Sequence, residues 1–352
     1  MTEVLDINIT KTERSRLGNI SLEDIPFGKY FTDHMLEADY ENGEWKTEIK
    51  PYQPLVLDPS VSALHYGQSI FEGIKAFRQE NGEAVIFRPY ENFKRFNLSA
   101  QRMSMPEVPE EIFIEGMRQL IELDKDWIPA QADHSLYIRP FMFATDYMLG
   151  VKPSATYKFL IILSPVGPFH AAPMKIAVEE KYTRAAPGGV GFSKNAGNYG
   201  GSMYPAAKAK ETGYDQVLWT DAFEHKWLQE VGMMNIGFVI NNVFVTPALE
   251  DTILKGVTRD SIIAILKDMG IKVEERRLNI DEVVEAYKKG TLTEIFGMGT
   301  AAVISNIKKL KYQDLVMDFN VSSFVLSPKI KQALDEIRLG KTEDTHGWLF
   351  KV

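Results

Sequence analysis

A single lysine, Lys194, lies among six glycines in the stretch Gly188-Gly-Val-Gly-Phe-Ser-Lys-Asn-Ala-Gly-Asn-Tyr-Gly-Gly201. Glycine lacks a Cβ and accepts positive φ, so such a loop lets backbone and ligand approach closely. Two phosphate-loop readings fail on spacing. Ser193 stands where the Walker pattern needs glycine before its lysine, and Asn195 where it needs Ser or Thr. Gly189-Val-Gly191 runs into Phe-Ser-Lys without the third glycine of a dinucleotide fingerprint. Amine chemistry remains, since a lysine can form a Schiff base with an aldehyde. The competing reading is a solvated loop lysine, the usual state of this residue type.

An aldehyde cofactor such as pyridoxal phosphate also needs an acid for its ring nitrogen and ligands for its phosphate. Glu230, in Leu228-Gln-Glu-Val-Gly-Met-Met-Asn235 ahead of an apolar strand, is a candidate acid. A carboxylate there keeps a pyridine nitrogen protonated and makes the ring an electron sink; a solvated glutamate fits the local sequence as well. Helix starts present unpaired N–H groups at the positive end of a dipole, so Gly256-Val-Thr-Arg-Asp-Ser261 is a candidate anion site. Gly299-Thr-Ala-Ala302, after a strand, is a second, with a hydroxyl at Thr300. Arg95 in Asn92-Phe-Lys-Arg-Phe96 and Arg139 in Leu136-Tyr-Ile-Arg-Pro140 can bind phosphate or carboxylate bidentately. Taken singly, each also fits an ordinary cap or a surface arginine.

The elements that must position these residues read as mixed. A chain of 352 residues, 45% hydrophobic and 25% charged, can bury a sizeable core and suggests two domains. Short strands such as Ala84 to Arg88 alternate with helices at Pro89 to Met103 and Pro109 to Leu123, an α+β pattern. The seam Ser164-Pro-Val-Gly-Pro-Phe-His-Ala-Ala-Pro173 follows the apolar run Tyr157 to Leu163. We therefore expect a smaller N-terminal α+β domain at 1–165, a linker at 166–175 and a larger C-terminal cofactor-binding domain at 176–352. Within the latter, a strand near Lys175 to Glu179 precedes the glycine-rich loop. A helix at Gly201 to Glu211, a strand at Gln216 to Thr220, a helix at Thr258 to Met269 and a strand at Leu292 to Phe296 follow. Ile236 to Ile240 and Val243 to Thr246 flank Asn241-Asn242, a pair that tolerates the positive φ of a two-residue hairpin turn.

Composition removes several classes. With no cysteine, disulfides, thiolate catalysis and cysteine metal sites are excluded, and no metal site is expected. A net charge of −8 without a basic run argues against nucleic acid. The N-terminal MTEVLDINITKTERSR places Glu3 and Asp6 where a secretory signal is cationic, and no apolar stretch follows. The uncharged run Val231 to Leu249 is interrupted by Asn241, Asn242 and Pro247, which makes it a hairpin and not a membrane helix. A cytoplasmic protein without membrane or nucleic-acid partners is the expectation.

Seven segments in order resemble the branched-chain amino acid aminotransferases, of the D-amino acid aminotransferase-like class (fold type IV) of pyridoxal phosphate enzymes. They are Phe27-Gly-Lys-Tyr-Phe-Thr-Asp-His34, Leu64-His-Tyr-Gly-Gln-Ser-Ile-Phe-Glu-Gly73, Phe87-Arg-Pro-Tyr-Glu-Asn-Phe-Lys-Arg95, Tyr137-Ile-Arg139, Lys194-Asn-Ala-Gly-Asn-Tyr199, Glu230-Val-Gly232 and Phe296-Gly-Met-Gly-Thr-Ala-Ala302. The closing His346-Gly-Trp-Leu-Phe-Lys-Val352 looks like the end of the longer members. The resemblance implies a mixed α/β two-domain fold and a pyridoxal 5'-phosphate Schiff base on Lys194, which also shuttles the α-proton. It implies that Glu230 pairs with the pyridine nitrogen and Tyr199 lies near the phenolic oxygen. Arg95, Val257, Thr258 and Thr300 would hold the phosphate, with Arg184 nearby.

For the substrate it implies that Thr300 and Ala301 N–H groups, with Tyr137 and more indirectly Arg139, surround the α-carboxylate. Phe27, Tyr66, Phe71 and Tyr199 would wall an apolar pocket, which Leu149-Gly-Val151 of the partner subunit in a homodimer would close. Leucine, isoleucine and valine would exchange amino groups with 2-oxoglutarate. Two departures stand out. Met233 replaces the threonine many relatives carry after Glu-Val-Gly, changing hydrogen bonding beside the cofactor, and Ala302 and Ser305 replace the paired cysteines of mammalian members, so a thiol redox switch is absent. D-amino acid aminotransferases and aminodeoxychorismate lyases share the fold with an equivalent lysine and glutamate, but they are usually shorter and fit Phe27 to His34 and Tyr137 to Arg139 less well. A catalytically inactive scaffold is the reading from another class; it predicts a colourless protein.

Overall fold

The computed structural model describes residues 7–23, 25–131, 133–167 and 172–352. Glu3, Asp6 and the middle of the expected linker, residues 168–171, lie outside them. Two compact units emerge. The first comprises Met1–Phe169, Ser193–Ala196 and Glu336–Val352, and the second His170–Phe192 and Gly197–Asp335.

The first unit is built on one sheet. Its strands are β1 (Asn8–Ile9), β2 (His34–Glu41), β3 (Glu44–Pro51), β4 (Ser69–Phe71), β5 (Ile74–Arg78), β6 (Ala84–Phe87), β7 (Ser135–Ala144) and β8 (Tyr157–Val166). They run in the order β1-β3-β2-β8-β7-β5-β6, with β4 paired to β7. Only β1 and β3 run parallel. The strand Leu349–Lys351 fills the place beyond β6, with Leu349 opposite Phe87 and Lys351 opposite Val85.

Three helices accompany the sheet: α1 (Ser62–Tyr66), α2 (Pro89–Arg102) and α3 (Gly116–Leu123), the last continuing a π-helical turn at Glu111–Glu115. Proline at the first position of α2 loses no intrahelical bond there, and its φ is already helical. Phe96 on α2, Phe113 and Phe159 on β8 pack with ring centroids 5.4 to 5.8 Å apart, all three fully buried. Burying such rings drives assembly, and their tilted geometry adds to it.

The second unit holds β9 (Met174–Val178), α4 (Ala196–Glu211), β10 (Gln216–Thr220), β11 (Leu228–Val231), β12 (Met234–Ile240) and β13 (Val243–Thr246). After these come α5 (Val257–Asp268), β14 (Val273–Glu275), α6 (Ile280–Lys288), β15 (Leu292–Gly299), β16 (Val303–Tyr312), β17 (Leu315–Asp318) and α7 (Leu326–Arg338). The order β11-β10-β9-β16-β15-β12 returns on itself because β11 also pairs with β12, so six strands form a closed ring with no free edge. Ile176, Leu218, Ile236, Phe238, Ile295 and Leu310 fill the core. Asn241 and Asn242 both adopt positive φ at the expected hairpin turn.

Two sequence expectations differ from what is observed. The helix expected from Gly201 starts at Ala196, five residues earlier and across three glycines. Its start is tied to the preceding loop, where Asn198 Nδ2 donates to the Val190 carbonyl (2.9 Å), while Ser202 Oγ bonds back to the Asn198 carbonyl (2.7 Å) one turn earlier within the helix. Low helix propensity is overridden by such anchoring. Ser193–Ala196 and Glu336–Val352, assigned by sequence order to the second domain, cluster with the first unit. Long-range pairing accounts for both, through an Ile70 to Asn195 bridge and through the strand beside β6. Among the described residues no helix is long and apolar enough to cross a membrane.

Candidate active site

In the first unit the backbone of Lys194 is clamped on both polar groups. Phe71 N–H donates to its carbonyl (3.0 Å), and its own N–H donates to Ser99 Oγ (2.9 Å), which donates on to the Arg95 carbonyl (3.0 Å). A glycine-flanked lysine is thereby given one address. Its Nζ lies 4.9 Å from the centre of the Phe71 ring, and the Arg139 guanidinium carbon lies 4.7 Å from that same ring. Cations favour the negative face of an aromatic ring, so Phe71 helps to hold two of the expected site residues.

Arg139 donates through Nη2 to Tyr137 Oη (2.8 Å), and the Tyr137 ring meets Phe27 edge-on at 4.9 Å. Gly73 makes this arrangement possible: a Cβ there would sit 2.3 Å from Tyr137 Oη. The structure thus brings Lys194, Phe71, Tyr137, Arg139 and Phe27 into one contact chain. Tyr66 ends α1 half exposed, and Val151 stands 86% exposed in the loop before β8.

Arg95, on α2, meets a residue that sequence reasoning quoted but gave no role. Glu72 takes the guanidinium bidentately, Oε1 from Nε and Oε2 from Nη2, both at 2.7 Å, and accepts from Asn92 Nδ2 at 2.8 Å. Burial by itself raises a carboxyl, but the charges of Arg95 and Lys194 and the hydrogen bonds from Arg95 and Asn92 outweigh it and hold Glu72 below the usual carboxylate range. The available signal was an acid inside Ile70-Phe-Glu-Gly73, a run otherwise suited to a buried strand.

In the second unit Glu230 lies on β11 at 2% exposure. Leu254 N–H donates to its Oε1 (2.7 Å), and Arg184 Nε lies 3.3 Å from Oε2. Arg184 Nη2 also donates to the Thr252 carbonyl. The structure sets Arg184 against Glu230. Asn235 is a further residue that sequence reasoning passed over. It stands opposite Glu230 in one ladder and opposite Met298 in the other, and its Nδ2 donates to the Leu254 carbonyl (2.9 Å).

Asn235 also explains Gly256, the residue before α5. A Cβ on Gly256 would lie 2.0 Å from Asn235 Oδ1. The start of α5, at Val257 and the buried Thr258, has no side-chain cap, and the N–H groups of such a first turn are the kind that an anion can accept from. Arg259 in that turn has other work, pairing with Glu275 (3.0 Å) and donating to the Pro247 carbonyl (3.0 Å). Thr300 and Ala301 make the turn after β15, half buried, and Tyr199 lies half buried on α4. Met233 sits in the β11–β12 turn beside Gly232, whose φ is 55°. Among the described residues no cluster of acids and histidines has the makings of a metal site.

Comparison with known proteins gives a consistent result. A family model described as amino-transferase class IV matches residues 69–310. Branched-chain-amino-acid transaminase 1 of Bacillus subtilis (strain 168) is 50% identical over 335 residues, covering 93% of this chain and 94% of that protein. Among solved structures, the branched-chain amino acid aminotransferase from Escherichia coli superposes with a TM-score of 0.72 at 28% identity, covering 90% of this chain and 98% of that one. A T.th. branched-chain amino acid aminotransferase complexed with N-(5'-phosphopyridoxyl)-L-glutamate gives 0.71 at 25% identity, covering 89% and 97%.

Proposed function

The chain belongs to the class IV aminotransferases, as a branched-chain amino acid aminotransferase, and from that premise we propose how its residues divide the work. It transaminates branched-chain amino acids with pyridoxal phosphate. Each unit holds donors of the kinds that cofactor takes, the first a clamped lysine and an arginine, the second a buried carboxylate and an uncapped helix start. When bound, pyridoxal phosphate supplies an aldehyde that captures amino groups and a ring that accepts electrons from Cα.

In the first unit, Lys194 Nζ anchors the cofactor and then carries the proton to and from the substrate Cα, a role its two backbone bonds support by fixing where the amine starts. The clamped lysine is the observation that carries the reading. Arg95 contributes to phosphate binding. Tyr137, oriented by Arg139, binds the α-carboxylate. Phe27, Tyr66 and Phe71 receive the apolar side chain, each buried methylene being worth about 0.8 kcal/mol, while the glutamate side chain is tolerated in the same pocket.

In the second unit, Glu230 bonds the pyridine nitrogen, oriented by Leu254 N–H and Arg184. The first N–H groups of α5 at Val257 and Thr258, with Thr300, take the phosphate. Ala301 N–H would join the carboxylate site, and Tyr199 would face the phenolic oxygen of the bound cofactor. The oxo-acid acceptor is 2-oxoglutarate. A cytoplasmic homodimer is the assembly we favour, with Val151 of the partner subunit closing the pocket; the exposed Tyr147, Leu149 and Val151 support such a contact.

The test is the visible spectrum of the purified protein before and after adding L-leucine without any oxo acid. A yellow band that L-leucine bleaches is expected, together with its loss in Lys194→Ala. Bleaching by D-alanine alone would assign the D-specific reaction instead, and a protein that stays colourless with added cofactor would assign the inactive scaffold.

A further inference from the structure

A fully buried carboxylate asks for a reason. Glu72 has 0% exposure, and a buried ion pair can often be replaced by apolar residues at no loss of stability, so the Glu72–Arg95 pair is weakly explained by stability alone. Its position is more telling. Glu72 directly follows Phe71, whose N–H holds the Lys194 carbonyl and whose ring faces Lys194 Nζ. The Glu72 backbone is itself fixed, its N–H donating to the Pro140 carbonyl (2.7 Å), and Gly73 N–H reaches its Oε2 (3.2 Å). This acid is thus rigidly mounted against the arginine of α2, one residue along from the Phe71 that holds the lysine.

We propose that Glu72 is a positioning residue for the reaction: its carboxylate fixes the plane of the Arg95 guanidinium and supplies the negative charge that favours the protonated form of the nitrogen carried by Lys194. The inference rests on the reading of Lys194 as the cofactor-binding lysine. The groups that act on the acid are Arg95 on α2 and Lys194, with Asn92 as a neutral donor, while Tyr137 and Arg139 on β7 lie against its neighbours Gly73 and Phe71. Arg95 and Lys194 are both cations, so neutralising Glu72 leaves them unbalanced. The electrostatic pull of Lys194 on the Glu72 carboxyl agrees with this proximity.

The variant is Glu72→Gln, which keeps the shape and removes the charge, and two properties of the pyridoxal phosphate-bound protein are read. The pH midpoint of the visible band should fall by about one to two units, and the dissociation constant for pyridoxal phosphate should rise about tenfold. Glu72→Asp, which keeps the charge on a shorter arm, should return the midpoint towards the native value while affinity stays weakened. A purely structural role would lower the melting temperature and leave the midpoint alone. Should Glu72→Gln fail to fold, Arg95→Gln is compared with the double variant Glu72→Gln/Arg95→Gln, in which no buried cation is stranded; a lower midpoint in the double variant is expected. Equal midpoints in either comparison overturn the proposal for Glu72. Absence of any visible band on Lys194 in the native protein overturns the lysine reading, and this inference with it.

Discussion

Tyr137 reaches Arg139 only because residue 73 has no side chain. In Gly73→Ala the new methyl would begin 2.3 Å from Tyr137 Oη, so the tyrosine must move and loosen its bond to Arg139. Overpacking of this kind costs about 1–3 kcal/mol. We expect KM for the amino acid to rise at least about tenfold with the visible band unchanged, checked by steady-state kinetics beside the spectrum; an unchanged KM would remove Tyr137 from the carboxylate site. At this scale the sequence announced the groups whose type is unusual for their setting, Lys194 among glycines above all. It could not announce Glu72 or Asn235. Their importance lies in partners distant in sequence, Arg95 for one and Leu254 and Gly256 for the other, and no local pattern encodes which guanidinium an acid will meet.

Elements depend on equally local polar contacts. The turn between β10 and β11 is wound around Asp221, whose carboxylate accepts from the N–H groups of Phe223, Glu224, Lys226 and Trp227. Burial alone would raise this carboxyl, but the four donors bring it down from 3.8 to about 2. A group whose folded pKa is depressed stabilises the fold above its unfolded pKa and loses that contribution as pH falls through the folded one. Asp221→Asn should therefore cost about 2 kcal/mol at neutral pH, and the difference from native should shrink between about pH 4 and pH 2. Urea unfolding of both proteins across that range measures it, and a pH-independent difference would sink the account. Helices and hairpins were largely readable because periodicity and turn residues are local signals. The early start of α4 was not, since glycines at 197, 200 and 201 argue against a helix that only Asn198 and Ser202 reveal.

For the whole molecule the sequence revealed a mixed architecture, but not how strands are ordered. Closure of the six-stranded ring depends on β11 meeting β12 and on β9 running parallel to β16, pairings set by the packing of distant segments. The strand beside β6 is a further case. Trp348 meets the Phe87 ring edge-on at 5.6 Å and lies under the Arg88 guanidinium at 5.1 Å, while Phe350 meets Tyr90 at 5.8 Å. Removing His346–Val352 strips these rings and leaves the outer edge of β6, the one not paired with β5, open. The shortened protein should melt several degrees lower and scatter light on heating, measured beside the full chain; matching curves would show the strand to be dispensable.

The same strand sets a timetable for birth. Polypeptide leaves the ribosome from its N-terminal end, so β6 emerges long before the segment that covers it, and every strand of the second unit is made in the interval. During that wait the nascent sheet carries one open border, a surface that chaperones bind and proteases attack. Synthesis of residues 349–351 is what seals it. A chain interrupted between β6 and residues 349–351 would therefore carry that border unfinished.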